Sequence, residues 1–147
     1  MRNSKNIRRK GFTLVELLIV IVVIGILSAM MMLSSTEATT SAKATAIVSN
    51  LRNIKTAALA YYADHQATAT TLSKDAIITY LKDGGGDLET GYDATGDDKA
   101  WNATYELQGT TAEKTSIKKK LEARASQVGI TVSGDVGSKV TVTMFIR

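Results

Sequence analysis

The chain contains no cysteine and no proline, and it has one histidine, two phenylalanines, one tryptophan and five tyrosines in 147 residues. Without cysteine there is neither a disulfide framework nor a thiolate metal site. His65 has no second histidine or cysteine with which to hold a transition metal, so a solvated helix end is the role its position suggests. Without proline, no helix in the chain is broken or kinked by a ring. No Gly-x-Ser-x-Gly elbow or phosphate-binding glycine loop accompanies the many serines and threonines, and Gly84-Gly85-Gly86 reads as a turn. These gaps together argue against an enzyme.

Positive charge is also scarce once the first residues are set aside. The formal charge of +4 and pI near 9.3 look basic, but Arg2, Lys5, Arg8, Arg9 and Lys10 lie in the first ten residues with no acid among them. Taking those five from the 18 bases leaves 13 against 14 acids, a balance of −1. Net charge therefore gives no reason to expect nucleic acid as a partner.

What the chain does have is a long apolar run beginning right after that basic stub. From Phe12 to Leu33 there are 22 residues and one charge, Glu16. At about 1.5 Å per residue a helix of this length spans roughly 33 Å, enough for a bilayer's hydrocarbon. A basic stretch beside a span stays cytoplasmic, which sends everything after Leu33 to the outer face. The run exceeds the 7 to 15 residues of a signal-peptide core, and its glycine precedes the run instead of following it. A plain signal anchor fits the length and charge but gives no reason for Glu16. A carboxylate in lipid calls for a partner charge, and no residue of the apolar run supplies one.

The segment Lys10-Gly11-Phe12-Thr13-Leu14-Val15-Glu16-Leu17-Leu18, followed by Ile24-Gly25-Ile26-Leu27, resembles the N-terminus of type IV pilins and pseudopilins. The resemblance implies cleavage by a prepilin peptidase after Gly11 and N-methylation of the new terminus at Phe12. It implies that Glu16 pairs with the N-terminus of a neighbouring subunit. Leu14, Leu17, Leu18 and Gly25, with the rest of Leu14 to Leu33, then form the surface that exchanges lipid for other subunits in a helical homo-oligomer. A platform protein and a cytoplasmic ATPase are the implied assembly partners, and the membrane is the partner of the precursor. Three stretches follow: a removed leader over 1–11, a membrane and filament-core half-helix over 12–33, and an amphipathic half-helix with a globular head over 34–147. Relatives often carry a proline near the end of the apolar run where this chain has Leu33. The helix is thus expected to be straighter, unless Gly25 lets it bend or unwind.

Beyond the span, Ala44, Ile47, Leu51, Ile54, Ala58 and Tyr61 recur at steps of three and four, one face of a helix, with Asn50, Arg52, Asn53 and Lys55 on the other sides. Span and amphipathic stretch together predict one helix of some 50 residues, about 75 to 80 Å long. Ser73 to Lys82 reads as a short helix with Ser73 as N-cap, ended by Gly84 to Gly86, and Gly91 to Lys99 as a polar loop. Trp101, Ala103, Tyr105 and Leu107 alternate with polar residues as in a strand with one buried face. Thr110-x-x-Glu113 is a capping box, and Ile117, Leu121, Ala125 and Val128 line the helix it opens, which Gly129 closes. Ile130 to Ser133 and Val140 to Ile146 predict two strands joined through Gly134 to Gly137. The fold class is α+β: a long N-terminal helix, apolar then amphipathic, packed on a small antiparallel sheet with additional short helices. The pilin resemblance implies the same helix-plus-meander plan.

Several residues could carry more than structure. Asp93, Asp97 and Asp98, with Glu106, offer the hard oxygen ligands calcium takes, and secretion pseudopilins that this chain resembles carry a calcium loop; the spacing is not that of an EF-hand, and acidic loops are commonly just solvated. Lys118-Lys119-Lys120 reads as a solvated face, with an acidic partner or DNA as its alternative. Asn102-Ala103-Thr104 matches a glycosylation sequon that also arises by chance, and Tyr61 and Tyr62 read as core. The functional expectation is a structural subunit of a type IV pilus, lodged in the cytoplasmic membrane as a single-pass precursor and extracellular after assembly, serving adhesion, motility or DNA uptake. A pseudopilin of a type II secretion or competence system shares the same N-terminus. A membrane-anchored binding module that never polymerises is the reading from another class.

Overall fold

The computed structural model describes residues 11–65, 71–82, 90–97 and 99–147, the side chains of 33 and 34 excepted. The expected leader up to Lys10, the Gly84 to Gly86 turn and Asp98 lie outside the described residues. The chain divides into two units that meet between Glu37 and Ala38. One helix, α1 (Leu14–Asp64, 51 residues), has residues in both. It is helical through Gly25 and Leu33 without interruption, so the chain does not unwind at Gly25.

In the first unit the helix carries an apolar side chain at nearly every position, with only Glu16 and Glu37 charged beyond Gly11. All its described side chains are exposed, the large apolar ones from 48% at Val23 to 87% at Leu14. A helix that is apolar all round has no solvent-facing side, and it is stable only inside lipid or among other apolar helices.

The second unit is built on the amphipathic part of α1. Ala44, Ile47, Val48, Leu51, Ile54, Ala57 and Ala58 are buried in one cluster with the sheet, and Tyr61 and Tyr62 pack half-buried against it. Each fully buried Leu or Ile removed from water contributes about 1.5 to 3 kcal/mol. Arg52 and Asn53 point to solvent, as the three-and-four spacing requires. After α1, a short helix α2 (Lys74–Lys82) starts at Ser73, whose Oγ accepts the Ala76 N–H at 3.4 Å, and it buries Ile77.

Four strands follow: β1 (Tyr92–Gly96), β2 (Trp101–Glu106), β3 (Ile130–Gly134) and β4 (Val140–Phe145). They form one sheet in the order β1-β2-β4-β3, antiparallel at every junction. β1 lies where the sequence predicts a polar loop. Its buried Tyr92 and Ala94 alternate with exposed Asp93 and Thr95, and pairing with β2 outweighs the poor strand propensity of Asp and Gly. The sheet is also not a simple meander, because β4 pairs between β2 and β3 and leaves β3 at the edge.

Between β2 and β3 the chain forms α3 (Thr111–Glu122), opened by the Thr110/Glu113 capping box, with Ile117 and Leu121 buried. The single helix expected here is two: α3 caps at Ala123, and a four-residue α4 (Ala125–Val128) follows, with Ala125 and Val128 only partly buried. Gly129, at φ 74°, is the left-handed C-cap of α4, a backbone state that glycine reaches without a Cβ clash.

Candidate functional site

The residues singled out from Thr13 onward come together in the first turns of α1. Helix formation begins at Leu14, and the Thr13 carbonyl accepts the Leu17 N–H at 3.3 Å, which makes Thr13 the N-cap and Glu16 the third helical residue. Glu16 Oε2 accepts the Thr13 N–H at 2.8 Å and the Thr13 O–H at 2.7 Å, while Thr13 Oγ1 accepts the Glu16 N–H at 3.2 Å. This is a capping box, in which two helix-start donors that lack intrahelical partners are satisfied by the side chains of Thr13 and Glu16. A negative group here also meets the positive end of the helix dipole.

The sequence reading found no partner for Glu16 because it sought an opposite charge. The structure supplies neutral donors three residues away. The signal was present: Thr13-x-x-Glu16 has the spacing that identified Thr110-x-x-Glu113. Both Thr13 donors fall on Oε2, so Oε1 is left without a hydrogen-bond partner among the described residues. The carboxylate is thus fixed in position by one oxygen and open through the other.

Around it, Gly11 and Phe12 are exposed, Phe12 at 84%, and a Cβ placed on Gly11 would meet nothing within 4 Å. Leu17 and Leu18 stand on the turns beside Glu16, both more than half exposed. Gly25 lies further along α1 and is equally open, so its missing side chain leaves space for something outside the chain. By length and composition α1 can cross a membrane, with its most apolar stretch entirely unburied.

The acidic residues named above each bond a partner of their own, Asp98 lying outside the described residues. Asp93 sits on β1 and its Oδ1 accepts the Ala94 N–H at 2.8 Å, whereas Asp97 Oδ1 accepts the N–H groups of Lys99 and Ala100 at 3.0 and 3.3 Å. Glu106 is paired with Lys139 at 2.8 Å. Among the described residues no three His, Asp or Glu side chains gather as a metal site would require. His65 follows the end of α1 with its ring stacked on Tyr61 at 4.5 Å and its Nδ1 3.0 Å from the Tyr61 carbonyl. Tyr61 and Tyr62 pack against buried Trp101 at centroid distances of 6.2 and 5.6 Å. Lys118 donates to the Gly134 carbonyl at 2.9 Å and lies 3.8 Å from Glu122, which ties it to its own fold.

A second carboxylate ties the head together. Glu113 Oε2 accepts the Thr110 N–H and O–H, both at 3.0 Å, and Oε1 accepts from Lys43 Nζ of α1 at 3.0 Å. The Thr110 amide and the Lys43 ammonium hold this carboxyl down at about 2. Tyr80 donates its O–H to Asp64 at 2.8 Å, and that bond to a carboxylate raises the phenol.

A long N-terminal helix, apolar at first and amphipathic further on, with a small antiparallel sheet packed on its later part, matches the architecture of type IV pilins and pseudopilins. The family model described as the prokaryotic N-terminal methylation motif matches residues 6–32. No curated protein and no solved structure gives a significant match. Fold and motif thus indicate a pilin- or pseudopilin-like subunit with one long apolar N-terminal helix suited to a membrane-anchored precursor.

Proposed function

We propose that this chain is a structural subunit of a type IV pilus, made as a single-pass precursor with its basic stub in the cytoplasm and its head outside. A prepilin peptidase removes residues 1–11 after Gly11, and Phe12 becomes the N-methylated terminus. The subunit leaves the bilayer and polymerises through Leu14 to Leu33, with Glu16 docking against the terminal amine of a neighbour.

The observation that carries this reading is the carboxylate of Glu16, anchored through Oε2 and open through Oε1, at the head of a helix whose first, apolar part has every described side chain exposed. An anion held so rigidly loses little freedom when a cation arrives. The apolar surface alone gives little drive, since lipid tails are as apolar as partner helices. Assembly therefore rests on packing, on the Glu16 pair and on external work, which is the part assigned to a cytoplasmic ATPase acting through a platform protein. Leu17, Leu18 and the open Gly25 supply the packing surface.

Shearing surface appendages from cells, imaging them and sequencing their subunits by mass spectrometry tests the reading. The expected subunit begins at a methylated Phe12. Filaments that lack this chain, or that contain it with Met1 to Gly11 attached, would overturn the proposal.

A further inference from the structure

The face of the sheet turned away from α1 is mostly polar, with Phe145 exposed at one end of it. Register places Thr131, Thr143, Thr104 and Asp93 side by side across all four strands, and Ser133, Thr141 and Glu106 in the row beside them. All of these alternate with the buried positions of their strands. Neighbours within a row are about 4.8 Å apart, and rows about 6.7 Å. Part of this face sinks into a depression of about 370 Å³ lined by Lys74, Asp93, Thr104, Glu106, Lys139 and Thr141. Gly91 forms one wall at φ 103°, where a Cβ would press on the Glu106 carbonyl at 3.0 Å and the Tyr105 ring at 3.1 Å.

The lining has two ammonium groups and two carboxylates, so its formal charge is zero. An anion such as phosphate would face Asp93 and Glu106, and a polycation would face Lys74 and Lys139. Apart from Tyr92 the lining is charged, hydroxyl-bearing or glycine, which is a poor match for a wholly greasy ligand. It does hold an acceptor in Asp93, a donor in Lys74, and the hydroxyls of Thr104 and Thr141, which do both. Neither hydroxyl has a partner among the described residues, nor has Lys74, and Asp93 spends only Oδ1 on its neighbour's amide. A ligand matching this set is uncharged and carries several hydroxyls, each both donor and acceptor, at spacings of a few ångströms. That is the surface of a sugar ring, and the volume lies at the small end of ligand clefts, room for one or two rings.

We propose that this depression on the open face of the sheet binds a neutral saccharide through Thr104, Thr141, Asp93 and Lys74. The site lies wholly within the head and does not depend on polymerisation. Failure of one proposal therefore leaves the other standing.

The test uses the full chain in micelles of a detergent without a sugar headgroup, with threonine methyl resonances as the readout. The probes are the methyl glycosides of glucose, galactose and N-acetylglucosamine, with inorganic phosphate and spermidine as charged controls. At least one glycoside is expected to give saturable shifts at the Thr104 and Thr141 methyls, with Kd on the order of millimolar. Thr104→Val and Thr141→Val keep the β-branched shape and should each weaken binding by roughly five- to tenfold, with the thermal melt unchanged. No saturation by any of the three glycosides, equal shifts from phosphate or spermidine, or valine variants that bind as the parent does would each overturn the proposal.

Discussion

Replacing Glu16 by Gln separates the capping the carboxylate performs from the docking proposed for it. Glutamine completes a capping box as well as glutamate does, so its amide oxygen can take the Thr13 N–H and O–H that Oε2 now accepts at 2.8 and 2.7 Å. The start of α1 should therefore persist in Glu16→Gln, and with it membrane insertion and leader removal. What disappears is the unit charge offered by Oε1. Two opposite charges about 4 Å apart, at an effective dielectric near 20, favour docking by roughly a thousandfold over a neutral pair before desolvation is counted. If desolvation cancels half of that on a logarithmic scale, about thirtyfold remains at each subunit added. Quantitative mass spectrometry of sheared filaments and of the membrane fraction from the same cells reads both sides. Precursor and mature subunit in the membrane should match the parent, with filament yield down by about thirtyfold or more. A Gln variant that assembles as well as the parent would refute the reasoning and reduce Glu16 to a helix cap. Thr13→Ala runs the other way, loosening the cap while leaving the charge, and should lower yield by much less.

Leu51 is 0% exposed at the centre of the α1 contact with the sheet, so Leu51→Ala should destabilise the head by about 2 to 5 kcal/mol and lower its melting temperature by roughly ten degrees or more. Thermal melts of the full chain in micelles check this, and a loss below about 1 kcal/mol would mean that α1 is not seated there. Glu113 titrates at about 2 in the fold against an ordinary 4.5, so its contribution is complete above pH 4.5 and is lost as pH falls through that window towards 2. The gap in melting temperature between the parent and Glu113→Gln should be widest above pH 4.5, narrow on acidification, and shrink in high salt because the Lys43 pair is exposed; a gap that widens in acid contradicts the assignment. Gly11→Trp should leave the basic stub attached, visible as an unshortened intact mass, and normal shortening would contradict cleavage after Gly11.

Much of the head was legible because burial enforces period. The recurrence of Ala44, Ile47, Leu51, Ile54 and Ala58 located the packing face of α1, and all five are buried. Trp101 and Ala103 located the inner face of β2 in the same way. The Thr110/Glu113 box was readable because a cap is a local contract between residues three apart. β1 escaped because Asp93 and Gly96 are turn formers by composition, and only the pairing of Asp93 with Thr104 and its neighbours makes the segment a strand. The break after α3 escaped too, since Ala123 and Arg124 are good helix formers and neither glycine nor proline marks the place. Strand order was not readable, because insertion of β4 between β2 and β3 is decided by contacts distant in sequence. At the N-terminus, the motif residues were found and their local hydrogen bonds were not. A carboxylate in an apolar run draws attention to missing charge, and the hydroxyl three residues earlier was overlooked.

The donors that hold Glu16 both belong to Thr13, one bond downstream of Phe12. Scission between Gly11 and Phe12 touches neither of them. Under the proposed processing, maturation is a largely electrical edit: the neutral Gly11–Phe12 link gives way to an ammonium group beside a capping box whose hydrogen bonds all lie downstream of the cut.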